Sequence, residues 1–276
     1  MDLKILKETP PWDWPDGAGK VFFEILGDHQ ADASDRAIAA ELAGDFTVIN
    51  EELVDALLSI LQSSAESEEL RGRAAISLGP VLEYADTEGF EDRDDVPISE
   101  DTFWKIQESL RRFYMDTDVP KNVRRRILEA SVRAPQDWHQ DAIRAGYSSD
   151  DGDWRLTAVF SMGWVRGFDD QILEALESEN QDIHYHAVCA AGNWEVDAAW
   201  SHVSRLVTAN ETDKPLLLAA IDAVASIRPQ EAGMILVDLT DSDDEDIVEA
   251  AYEAMAMAEG PSGDEFDEDD DDAYVH

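Results

Sequence analysis

Trp154-Arg155-Leu156-Thr157-Ala158-Val159 is followed 29 residues later by Ile183-His184-Tyr185-His186-Ala187-Val188, and Gly163 is matched at the same interval by Gly192. Within each copy apolar residues recur at helical spacing: Trp154, Ala158, Met162 and Val165 in the first, Ile183, Ala187, Ala190 and Trp194 in the second. Each copy therefore opens with an amphipathic helix. A second apolar run follows each, around Ile172 to Leu176 and Trp200 to Val207. The unit is two helices and a short turn, and a period of about thirty residues built this way predicts an all-α stack of helix pairs.

Working outward, a small or aliphatic residue occupies one place in each first helix: Ala39, Ala74, Ile127, Ala158, Ala187, Ala220 and Ala251. The intervals are 35, 53, 31, 29, 33 and 31, and the long one contains an acidic stretch, Asp86 to Pro97, that reads as an insertion on one edge of the stack. A recurrent small residue lets neighbouring helices approach closely. Asn50-Glu51-Glu52 and Ser99-Glu100-Asp101 read as helix starts, with a capping side chain followed by carboxylates that suit the helix dipole. Single helices are expected over Leu70 to Tyr84, Met234 to Leu239 and Asp246 to Met257, with Pro135 and Pro229 as stops. Residues 1 to 14 carry little structure by this reading, their Trp12 and Trp14 covering the open end of the first helix. The domain spans 1–260, and Gly263 to Asp272 lies in an acidic, disordered tail over 261–276.

The recurring acidic residue, spacer, arginine and alanine-rich helix resembles HEAT-like repeats of the short phycobilin-lyase type. The residues that carry the resemblance are Asp35-Arg36-Ala37-Ile38-Ala39-Ala40, Leu70-Arg71-Gly72-Arg73-Ala74-Ala75, Val123-Arg124-Arg125-Arg126 and Trp154-Arg155-Leu156-Thr157-Ala158. It covers roughly residues 16 to 259. It departs where His184 replaces the arginine and where Lys214-Pro215-Leu216 and Ile247-Val248 keep no basic residue there. The resemblance implies a right-handed α-solenoid, armadillo/HEAT-like, of about six to seven helix pairs that binds other macromolecules. By the same resemblance, an enzyme or accessory of the phycobilin-lyase kind is the alternative.

Composition narrows the partners. The 276-residue chain has 63 acidic and 21 basic residues, a net charge of −42, with arginine outnumbering lysine 15 to 6. Such a surface repels nucleic acid and anionic lipid, and it suits a halophilic cytoplasm, where salt screens the self-repulsion. Cys189 is the only cysteine, which excludes an intrachain disulfide and points to a reducing compartment. Neither a secretory signal nor a run of eighteen apolar residues is present, so a cytoplasmic protein is expected.

Catalytic and metal motifs are weak. Gly17-Ala18-Gly19-Lys20 has part of a phosphate-binding loop, but Trp14 stands where the first glycine belongs and Val21 replaces the hydroxyl. His186 and Cys189 share a helix face and could supply two zinc ligands, but no second pair at ligand spacing appears; they read as a buried thiol and a partly buried imidazole. No cofactor and no metal are expected. The cations, by contrast, are concentrated: residues 71 to 166 hold 14 basic side chains against 3 in residues 167 to 276. Arg111, Arg112, Lys121, Arg124, Arg125, Arg126, Arg133 and Arg144 either line a groove for an anionic segment or neutralise neighbouring carboxylates as an ion-pair network. With no catalytic constellation, the expected function is a protein-interaction scaffold, its candidate contacts being Arg111, Arg112, Arg124, Trp138 and Arg144.

Overall fold

The structure is a computed structural model that describes residues 1–90, 96–209 and 211–259. It divides into two compact units, Met1–Phe168 and Asp169–His276. Among the described residues every regular element is helical. The expected tail and residues 91–95 of the acidic stretch lie outside the described residues.

The first unit holds α1 (Leu3–Glu8), α2 (Ala18–Gly27), α3 (Ala33–Leu42), α4 (Glu51–Gln62), α5 (Glu68–Ile76), α6 (Gly79–Glu88), α7 (Glu100–Met115), α8 (Lys121–Ser131), α9 (Asp137–Tyr147) and α10 (Gly152–Met162). One layer runs α3 on α5, α5 on α8 and α8 on α10; a second runs α2 on α4 and α4 on α7. The second unit holds α11 (Asp169–Ala175), α12 (Gln181–Asn193), α13 (Trp200–Thr208), α14 (Lys214–Ile227), α15 (Pro229–Leu236) and α16 (Glu245–Glu259). There α12 packs on α14 and α14 on α16, while α13 packs on α15.

Polar side chains set the helix starts. Asn50 accepts from the Leu53 amide and Ser99 from Thr102, as the sequence indicates, and Ser67, Asn180 and Asp213 do the same for α5, α12 and α14. Each satisfies an amide that the helix cannot. Ala39, Ala74, Ile127, Ala158, Ala187, Ala220 and Ala251 all have no solvent exposure.

Two further registers follow from that series. Five residues on stand Gly44, Gly79, Gly163 and Gly192. Three of these abut the next first helix near the residue three past its own small position. A Cβ on Gly44 would lie 2.3 Å from the Ser77 carbonyl oxygen, on Gly79 3.4 Å from Ala130 Cα, and on Gly192 2.9 Å from Ala223 Cα. Three residues before the small position stand Arg36, Arg71 and Arg124, each donating to a carbonyl ten residues back: Leu26 at 3.0 Å, Leu61 at 2.9 Å and Tyr114 at 2.7 Å. These carbonyls close α2, α4 and α7, whose last C=O groups lack helical partners. The repeated arginine is therefore a cap that ties each second helix to the first helix that follows.

Several local expectations are corrected. Leu70 to Tyr84 is two helices, broken at Ser77–Leu78, because Pro80 has no amide to donate and favours a first turn. Asp86 to Glu88 belong to α6, and Val96 is buried. Residues 3–8 form a helix whose Leu3 and Leu6 are buried, with α1 packed on α3. Trp14 closes this end, donating to the Leu6 and Thr9 carbonyls and meeting Phe22 edge-on, whereas Trp12 stays exposed. Pro229 opens α15 rather than only stopping α14, and Val237–Asp241 is a 3-10 turn.

Candidate interaction face

Most of the clustered cations have local partners. Lys121 bonds Asp151, and Arg125 pairs with Asp153 at 3.1 Å while donating to the Thr157 hydroxyl. Arg126 pairs with buried Glu129, whose other oxygen accepts from Thr157 at 2.7 Å. Arg133 pairs with Glu83 at 2.6 Å and lies over Trp164. Arg144 reaches Asp141 and Gln140 on its own helix and lies over Phe168. Arg124, besides its bond to Tyr114, packs over the rings of Tyr114 and Trp154. Lys121, Arg125, Arg126, Arg133 and Arg144 thus pair with neighbouring carboxylates, whereas Arg124 caps a helix and packs on rings with no ion pair among the described residues.

Trp138 is buried. Its indole donates to Gln136 at 2.7 Å and packs between Tyr114 and His139, so it holds α9 to α7. His139 is wholly buried; its Nδ1 accepts the Gln136 amide at 2.8 Å, which puts its proton on Nε2 facing the Ser131 hydroxyl. Burial pushes its pKa down to about 4 from 6.5. The unfolded chain then binds more protons than the folded one between these values, so stability is full above pH 6.5 and falls as the pH drops to 4, by on the order of 3 kcal/mol for this group. A ring titration followed by NMR is expected to show a midpoint near 4 for His139; a midpoint near 6.5 would mean that the imidazole reaches water.

Arg111 and Arg112 differ from the rest. Both are exposed on α7, and no ion pair among the described residues involves either; Arg112 only packs over Phe113. Trp104, Arg111 and Met115 are seven and eleven residues apart, hence on one stripe of α7, opposite the buried Phe103, Ile106 and Leu110. Trp104 is 55% exposed and Met115 52%. Sequence reading passed over Trp104; its position one residue past the buried stripe was the available signal. Beside the stripe runs a groove of about 630 Å³ between α4 and α7, lined by Leu58, Ser59, Gln62, Trp104, Glu108 and Arg112 and crossed by the Lys105–Asp55 ion pair. A larger furrow of about 760 Å³ along α3, α5 and α8 is lined by charges that pair with one another, Lys7 and Arg73 both with Glu41 and Arg73 with Glu69. Among the described residues no three His, Cys, Asp or Glu side chains converge as a metal site, and no helix is long and apolar enough to cross a membrane.

No family model matches the chain, and no curated protein matches it. Among solved structures it is similar to YibA of Escherichia coli, at 12% identity over 89% of this chain and 93% of that one, with a TM-score of 0.48. It is also similar to human deoxyhypusine hydroxylase in complex with glycerol, at 14% identity over 90% and 87% of the two chains and a TM-score of 0.40. An engineered protein gives 16% identity over 89% and 97%, with a TM-score of 0.37. No activity follows from these likenesses.

Proposed function

We propose that the chain is a non-catalytic scaffold, a right-handed HEAT-like solenoid of six to seven helix pairs that binds a protein partner in a salt-rich cytoplasm. The observation that carries this reading is the α7 stripe: in a chain with three carboxylates for every cation, two adjacent arginines make no ion pair among the described residues and stand beside an exposed tryptophan and methionine. Tryptophan and arginine dominate the energetics of protein interfaces, and unpaired guanidinium groups favour an acidic segment with an apolar residue for Trp104. Nucleic acid and anionic membranes are disfavoured partners for a chain of charge −42.

The tagged full-length chain, purified from lysate of its source at matched salt, is expected to retain a protein partner that Arg111→Glu/Arg112→Glu loses by at least about tenfold, or 1.4 kcal/mol. Trp104→Ala is expected to weaken retention too, while Arg205→Glu, an exposed reversal in the other unit, leaves it unchanged. Equal retention by the double reversal, or no specific partner at all, would overturn the reading.

A further inference from the structure

His184 lies in the first turns of α12 and His202 near the start of α13, and their Nε2 atoms are 2.9 Å apart. Behind them, His202 Nδ1 is 3.2 Å from a Glu177 carboxylate oxygen, and the two rings stand edge to face, 81° apart. None of the repeat registers requires this arrangement: the place that holds a capping arginine in α3, α5 and α8 is here given to an imidazole aimed at a second imidazole. Glu177 accepts the Nδ1 proton and so turns the His202 Nε2 lone pair toward His184, which is how an outer carboxylate orients a metal-binding histidine.

We propose that His184 and His202 form a two-imidazole chelate for a divalent transition-metal ion of the copper or nickel class. With metal–nitrogen bonds of about 2.0–2.1 Å, two ligands at right angles lie about 2.9 Å apart, whereas tetrahedral ligands lie about 3.3 Å apart. The observed separation is that of a hydrogen bond between the rings, and it is also a spacing that right-angled ligands of a square-planar or octahedral ion can take with little movement; copper binds nitrogen ligands most tightly among the divalent ions of its row. The direct contact between the rings is the metal-free form of the pair: His184 holds the proton between them, and moving it to Nδ1 frees the second lone pair with no change in charge. Among the described residues no third metal-binding side chain converges, so the remaining positions are left to water or to an exogenous donor.

The test is a titration of the full-length chain with Cu²⁺ in excess Mg²⁺, which occupies the many carboxylates. One equivalent is expected to bind with the absorption of nitrogen-ligated copper. That equivalent disappears in His184→Gln and in His202→Gln, weakens by about tenfold in Glu177→Gln, and is unchanged in His186→Gln. A second measurement needs no variant: substoichiometric Cu²⁺ added to the wild-type chain broadens the ring signals of His184 and His202 ahead of those of His29, His186 and His276. Copper uptake that Mg²⁺ displaces, uptake equal in wild type and both histidine variants, or broadening confined to other histidines would each sink the assignment.

Discussion

Truncating Glu66 to alanine is expected to cost about 3–5 kcal/mol of folding stability. Glu66, in the turn before α5, receives both terminal nitrogens of Arg36, at 2.7 and 2.8 Å, and the two side chains are only 8% and 11% exposed. Arg36 Nε has no partner, so without Glu66 the buried guanidinium keeps only its bond to the Leu26 carbonyl. An uncompensated buried charge is the expensive outcome; removing both charges is not. The double variant Arg36→Met/Glu66→Leu should therefore recover most of the loss. The Glu66 carboxyl is held below its ordinary value of 4.5, chiefly by the Arg36 hydrogen bond. Its contribution is full above that value and is lost as the pH falls further, so wild type and Glu66→Ala converge in acid. Urea melts at neutral and acid pH measure both effects, and a loss under about 1 kcal/mol at pH 7 would show that water already reaches the pair.

Gly44→Ala is expected to cost about 3 kcal/mol, at the upper end for an added methyl group in a packed core. The new Cβ would sit 2.3 Å from the Ser77 carbonyl oxygen and 2.8 Å from Ser77 Cα. Both are backbone atoms, so α3 and α5 must separate rather than let a side chain swing away. Gly192→Ala repeats the test in the second unit, against Ala223 Cα at 2.9 Å. Gly27→Ala is the control: nothing lies within 4 Å of its added Cβ, and the helical position should gain slightly from alanine. Thermal melts of the three variants should separate the first two from the third; equal melting temperatures would remove the close approach as the determinant of spacing.

The two glycines show how much of the fold was legible. Periodic small residues announced the first helices, because a buried contact between neighbours repeats in sequence as it repeats in space. Gly163 and Gly192 were read as part of that pattern, but Gly44 and Gly79 were not, since the flanking helices differ in length. The break at Ser77–Leu78, just before Gly79-Pro80, was missed because the apolar spacing runs on through it. At the candidate site the limit was different. Charge density along the chain grouped Arg124 and Trp138 with Arg111 and Arg112, yet whether a guanidinium is free depends on a carbonyl ten residues earlier and on which rings lie beneath it. For Trp104 the helical spacing placed the side chain off the buried stripe, but its exposure is also set by what fails to cover α7.

From Ala74 to Ile127 the chain uses 53 residues where its other steps use 29 to 35, yet Gly79 still meets Ala130. Length added between α6 and α7 therefore leaves the contact between α6 and α8 in place. A chain built this way can lengthen or shorten that one connection without resetting the spacing of its first helices.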